Sequence, residues 1–127
     1  MVIDMIERTL RVLDDEDREF ANILRSLGMN RNVAILIAYL SSVGEATTRE
    51  IELGAGLRQP EVSIAMRDLR DKNWIRKREA QSGGKGRPSL VFRLATPIGE
   101  IIKHIEDEKL REHSEFMESI RKLKELV

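Results

Sequence analysis

Apolar residues recur at helical spacing along most of the chain. Ile3, Ile6, Leu10 and Leu13 are three, four and three apart, which predicts a helix over residues 2–13. The acidic run from Asp14 to Asp17 interrupts that stripe. Asp is a good N-cap and acids favour a first helical turn, so the run starts a second helix or forms a charged elbow. Phe20, Ile23, Leu24 and Leu27 resume the helical spacing, and Gly28 follows where a helix needs a left-handed stop. Asn30 can cap the next helix. Val33, Leu36, Ile37 and Leu40 form its stripe, but Ala34, Ile35, Ala38 and Tyr39 are apolar too. A helix apolar on nearly every side belongs at the centre of a core, and Ser41 to Gly44 ends it.

Thr47 or Thr48 caps a short helix through Leu53, with Glu50 as the capping-box partner of Thr47. Gly54, Ala55 and Gly56 read as a turn. A further helix begins near Arg58 or Gln59, with Pro60 tolerated in its first turn. Val62, Met66 and Leu69 supply its inner face, and Asn73 its left-handed end. From Trp74 the pattern changes. Residues 74–78 read as a strand, 81–88 as a Gly-rich loop and 89–95 as the return strand. Pro97 then opens a last helical stretch, capped by Thr96. Residues 97–127 would span about 46 Å if unbroken. Ile98, Ile101, Ile102 and Ile105 mark its first face. The charged run 106–109 breaks the stripe, which resumes with Leu110, Phe116, Met117, Ile120, Leu123 and Val127.

A short helix, a Gly-containing turn and a second helix make a helix-turn-helix, and a hairpin directly after it makes a winged one. The fold class expected is mainly α with a small β-hairpin, flanked by long terminal helices. Three regions follow: a helical region over 1–28, the winged helix-turn-helix over 29–95 and a terminal helix over 96–127. The segments LGMNRNVAILIAYL, GEATTREI, GLRQPEVSIAMRDL, KNWI and GGKGRPSLVFRL carry a resemblance. Residues 27–95 resemble the winged-helix domain of archaeal TrmB-like and bacterial or archaeal MarR-like transcription regulators. The resemblance implies DNA binding. It does not extend to the large sugar-binding domain of TrmB-type proteins, nor to the Cys or clustered His of metal-sensing relatives.

Charge first points the other way. The chain has 22 Lys+Arg and 22 Asp+Glu, a zero balance, whereas nucleic-acid binders are usually basic. Split along the chain, the balance is −3 over residues 1–30, −1 over 31–57, +6 over 58–93 and −2 over 94–127. All the excess positive charge therefore falls in the second helix of the motif and the hairpin, where phosphate binding would need it.

Helical geometry assigns roles. With Val62, Met66 and Leu69 inward, Gln59, Pro60, Ser63, Ile64 and Arg67 face out. Gln can bond adenine through both amide groups, Arg can bond guanine bidentately, and Ile64 can meet a thymine methyl. Arg58 and Arg70 flank this face and are placed for phosphates. Thr47, Thr48 and Arg49 stand at a helix N-terminus, where hydroxyls and N–H groups can hold a phosphate. In the loop, Lys85, Gly86, Arg87 and Pro88 resemble the core of minor-groove AT-hook segments. The resemblance implies that Arg87 enters a narrow A·T-rich minor groove.

The terminal stripes need partners. Ile3, Ile6, Leu10 and Leu13 at one end, and Phe116, Met117, Ile120, Leu123 and Val127 at the other, are the expected interface of a two-fold homodimer. Such a dimer implies a pseudo-palindromic double-stranded DNA operator. The absence of Cys removes thiolate sites and cysteine nucleophiles, and His104 and His113 are nine apart, on opposite helix faces. No catalytic set, metal site or cofactor is therefore expected, nor a membrane span, since the longest nearly apolar run is eight residues. No small-molecule effector is specified. The function expected is a cytoplasmic, nucleoid-associated, sequence-specific transcriptional regulator. The alternatives are a winged-helix protein-interaction module in a larger assembly and a non-specific, chromatin-like DNA binder.

Overall fold

The computed structural model describes residues 10–80 and 88–127. They form two compact units, Met1–Ala95 and Thr96–Val127. In chain order, the described elements of the first unit are α1 (Asp15–Ser26), α2 (Arg31–Val43), β1 (Glu45–Thr47), α3 (Thr48–Ala55), α4 (Gln59–Asp71), β2 (Ile75–Ala80) and β3 (Ser89–Leu94). The second unit is the single helix α5 (Ile98–Leu126).

Helix α2 is the centre of the first unit. Val33, Ala34, Leu36, Ile37, Ala38, Tyr39 and Leu40 are all buried, and the helix packs against α1, α3, α4, β1 and β3. Full burial of each of its larger side chains stabilises the fold by about 1.5–3 kcal/mol. Its ends follow from side-chain chemistry. The Asn30 side chain accepts from the Asn32 N–H at 2.9 Å and the Val33 N–H at 3.4 Å, and Gly44 takes the positive φ of 88° at the other end. In α1, Asp14 is the N-cap. Its carboxylate accepts from the Asp17 N–H at 2.8 Å, while Asp17 accepts from the Asp14 N–H at 3.1 Å. The acidic run is thus a helix start.

Several sequence expectations are corrected. Residues 10–13 are not helical, so the stripe 2–13 does not run into the acidic cap as a helix; its first part lies outside the described residues. Leu13 is buried, and its N–H donates to the Gly54 carbonyl at 3.0 Å. Residues 10–13 form a non-helical strap with an inward Leu13. Helix α3 continues through Ala55, with only Gly56 (φ 69°) taking the left-handed turn. A third strand, β1, joins the hairpin. The sheet is antiparallel in the order β1-β3-β2, with Ala46 opposite Phe92 and Lys77 opposite Phe92 on the other side. Three residues are too few to show an alternating pattern. Pro97, and not Thr96, caps α5, with its carbonyl accepting from Glu100 and Ile101.

Helix α5 is continuous through 106–109 for 29 residues, about 43 Å. Polar pairs one turn apart carry it through the break in its stripe: Lys103 with Asp107 at 2.6 Å and Lys109 with Glu112 at 3.1 Å are opposite charges, and His104 Nε2 lies 3.3 Å from Glu108. Further on, Arg121 bridges Glu118 and Glu125. Ile101 and Ile105 are its buried residues. No described helix is long and apolar enough to cross a membrane.

The strap is held at a second point. The Tyr39 hydroxyl donates to the Arg11 carbonyl at 2.8 Å. Burial pushes the Tyr39 phenol above its ordinary pKa, and the nearby Glu50 charge adds to this, so the group stays a donor. Gly54 lies under both partners, where a Cβ would collide with the Tyr39 hydroxyl and the Arg11 carbonyl. Gly54→Ala should therefore lower stability by about 1–3 kcal/mol. Tyr39→Phe alone should cost about 1 kcal/mol through the lost hydrogen bond. Adding it to Gly54→Ala should cost less than the sum, because one obstacle has gone. Urea unfolding of the three variants checks this, and a neutral Gly54→Ala would show that the strap does not lie against Gly54.

Candidate nucleic-acid interface

Helix α4 turns one face inward and offers the other to solvent. Val62, Ala65 and Leu69 are buried. Met66 is half-buried, so the small Ala65 takes much of the place expected for it. Arg58, Gln59, Pro60, Ser63, Arg67 and Arg70 are exposed, and Ile64 is 66% exposed. An isoleucine this exposed, among polar neighbours, is an apolar contact without a partner. Val62 and Leu69 are seven residues apart, nearly two full turns, which leaves Ser63, Ile64 and Arg67 on the other side and Gln59 on the flank beside Ser63.

The N-terminal turn of α4 is ordered by Glu61. The Arg58 N–H donates to the Glu61 carboxylate at 2.8 Å, and the Arg58 guanidinium lies 3.6 Å from the same oxygen. That backbone hydrogen bond, with the guanidinium charge, holds the Glu61 carboxyl below its ordinary pKa. The Gln59 amide nitrogen donates to Ser63 Oγ at 3.0 Å, one turn on. The bond fixes the amide along the exposed face. It leaves the carbonyl oxygen and one N–H of Gln59 free, which is the pair of groups an adenine edge requires.

At the start of α3, Thr47 and Glu50 form a reciprocal capping box. The Glu50 N–H donates to Thr47 Oγ1 at 3.1 Å, and the Thr47 N–H to Glu50 Oε1 at 2.8 Å. Those two N–H groups are therefore occupied. Thr48 and Arg49, the first two residues of the helix, are the ones whose N–H groups lack an intrahelical partner.

Between α4 and the sheet lies an open cleft of about 530 Å³, lined on one side by Thr48, Gln59 and Ser63 and on the other by Arg76 and Lys77, with Arg67 and Arg70 along it. Sequence reasoning read this strand but singled out none of its cations. Their signal was the pairing register. Arg76 stands directly opposite Arg93, and like charges opposite one another destabilise a sheet unless an anion lies near. Two other cations are already neutralised. Arg78 reaches Glu45 through two bonds, Nε at 3.2 Å and Nη2 at 2.5 Å, and the hydrogen bond from Arg78 lowers the Glu45 pKa. Lys72 pairs with Asp68 at 2.8 Å and lies 5.8 Å from the Trp74 ring centre. Among the described residues, Arg67, Arg70, Arg76 and Lys77 make no ion pair. Four cations of this region, among the described residues, are thus left without an ion pair along one cleft.

The remaining expected site residues are placed as follows. Lys85, Gly86 and Arg87 of the hairpin loop, and Ile3 and Ile6 of the N-terminal stripe, lie outside the described residues. Leu10 is half-buried, and Leu13 is taken up by the chain's own core. Phe116, Met117, Ile120, Leu123 and Val127 are all exposed along the distal part of α5, with Leu110 before them. Among the described residues no group of His, Asp and Glu could hold a metal ion.

No family model and no curated relative matches the chain. Solved structures do. The structure of NadR in complex with 4-hydroxyphenylacetate superposes with a TM-score of 0.53 at 17% identity, over 86% of this chain and 79% of that one. A MarR family transcription regulator gives a TM-score of 0.52 at 15% identity, over 93% of this chain and 76% of that one. A further transcriptional regulator gives 0.52 at 17% identity; the match covers 79% of this chain and 65% of that chain, so less than two thirds of its length is spanned. Element order, antiparallel sheet and superposition agree: the chain has the winged-helix fold seen in MarR family transcription regulators.

Proposed function

We propose that the chain is a sequence-specific, double-stranded-DNA-binding transcriptional regulator that acts as a homodimer and is not an enzyme. The observation that carries this is the exposed face of α4, where Gln59, Ser63, Ile64 and Arg67 stand together beside cations that have no partner. Such a face combines base-edge chemistry with phosphate chemistry. In the proposed mechanism α4 lies in the major groove. Arg67 and Gln59 read base edges, and Ile64 packs on a thymine methyl. Thr48, Arg49, Arg58, Arg70, Arg76 and Lys77 hold phosphates. Thr47 acts by shaping the end of α3, and Arg87, with Lys85 and Gly86, enters the minor groove. The likeness to NadR and to a MarR family regulator supports the fold on which this rests.

The exposed apolar positions of α5 support a dimer. Phe116, Met117, Ile120 and Leu123 are each 44–66% exposed, and a contiguous apolar stripe of this kind is a surface for association. Two-fold pairing of such helices gives two α4 faces, hence a pseudo-palindromic operator with half-sites about one turn apart.

Four outcomes test these assignments. Arg67→Ala should cost about 1–3 kcal/mol at one base pair and relax the choice there. Fragments of the source genome selected for binding to each protein would reveal this, and uniform weakening on all sequences would make Arg67 a phosphate contact. Tolerance of charge reversal at both Arg67 and Arg87 would favour a protein-interaction module. Arg87→Ala should weaken A·T-flanked sites more than G·C-flanked ones; equal loss on both would remove the minor-groove role. Met117→Glu with Ile120→Glu should turn a dimer into a monomer by sedimentation while far-UV circular dichroism is kept. A dimer that survives both charges would place the interface elsewhere.

A further inference from the structure

The N-terminal 30 residues carry a net charge of −3, with four arginines among seven acids. Arg18 and Arg25 are seven residues apart on α1, nearly two full turns, and so share one face. Together with Arg31, the first residue of α2, they line an open cleft of about 290 Å³. The acids of the run point their chemistry elsewhere: Asp14 and Asp17 cap the start of α1, and Arg11 lies 4.0 Å from Asp14. No acidic side chain is among the described residues that line the cleft. Arg18 and Arg25 make no ion pair among the described residues, and Arg31 donates only to the neutral Asn32 side chain at 3.2 Å. Three exposed guanidinium groups around one concavity, with no acid among its lining residues, form a site for an oxyanion.

The position of the cleft identifies which oxyanion. Gly56, the left-handed residue between α3 and α4, is part of its wall. The Arg31 charge is one of the causes that lower the Glu61 carboxyl at the N-terminal turn of α4. The cleft therefore opens beside the turn of the helix-turn-helix and within electrostatic reach of the end of α4. In this motif the helix before the recognition helix crosses the DNA backbone, so a strand leaving the major groove passes the same edge.

We propose that Arg18, Arg25 and Arg31 form a second phosphate-binding site, which grips the DNA backbone outside the segment read by α4. This rests on the DNA-binding function proposed above. The site adds affinity and salt dependence without reading sequence, because phosphates are the same at every base pair. It also gives the acidic N-terminal segment a cationic side turned to DNA, where its net charge alone implies repulsion.

The test compares wild type with the triple variants Arg18→Ala/Arg25→Ala/Arg31→Ala and Arg18→Lys/Arg25→Lys/Arg31→Lys. Binding is measured on a mixed-sequence duplex of about 40 bp over a range of salt concentrations. The alanine variant should bind at least about tenfold more weakly at low salt, with a log–log salt slope shallower by about 2–3, near 0.9 for each lost phosphate contact. The lysine variant should restore most of the slope, which a role in packing alone would not. Base preference in selected fragments should be the same for all three proteins, unlike that of Arg67→Ala. An unchanged slope in the alanine variant, with wild-type binding intact, overturns the second site and leaves the function of α4 standing. Failure of wild type to bind any duplex overturns both. If the slope is unchanged but inorganic phosphate raises the melting temperature of wild type and not of the alanine variant, the cleft holds a free anion and its assignment to DNA is wrong.

Discussion

Everything in the first unit is arranged around the need to bury α2 on nearly all sides. A helix that leaves almost no polar face must be covered by several elements at once, and α1, α3, α4 and the sheet do this. The cover leaves each of those elements one outer face. For α4 that face is the candidate DNA-reading surface. For α1 it is the pair Arg18 and Arg25. The orientation of the functional side chains is thus a by-product of core formation. A substitution at Leu36 or Ile37, both fully buried, would disturb the site by loosening its support, at the 2–5 kcal/mol typical of large-to-small core changes.

Electrostatics then divides the arginines and lysines into two groups. Some are used locally, as Arg78 with Glu45, Lys72 with Asp68 and Arg121 with two glutamates. These pairs are exposed and add little stability. Their larger effect is to cancel charge in chosen places. Among the described residues, Arg67, Arg70, Arg76 and Lys77, which make no ion pair, lie together in the cleft beside α4. A neutral chain can in this way present a strongly positive surface of limited extent. Long-range, non-specific attraction stays small, and short-range attraction at one edge stays large.

Where neighbouring residues decide the structure, the sequence was readable. The caps at Asp14, Asn30 and Thr47 use side chains within three residues of their targets, and Asn73 takes the positive φ expected of a helix end. The outward face of α4 followed from periodicity alone. Features set by distant residues were not readable. The strap at 10–13 looks helical by spacing, but its conformation is fixed by Gly54 and Tyr39, some 28 to 41 positions away. Strand β1 exists because β3 offers it an edge. Arg76 and Lys77 gain meaning only once the pairing places Arg76 against Arg93 and Lys77 beside α4. The clustering of Arg18, Arg25 and Arg31 likewise needs the packing of α1 on α2.

Trp74 has a further use. It is the single tryptophan of the chain, nearly buried, with its N–H bonded to the Leu69 carbonyl and its own carbonyl accepting from Ala95. It therefore sits at the joint between α4 and the sheet, with the Lys72 ammonium close to its ring. Because no other indole contributes, intrinsic fluorescence excited at the red edge reports on this joint alone. The molecule carries its own optical probe of whether α4 and the sheet move as one body when a ligand arrives.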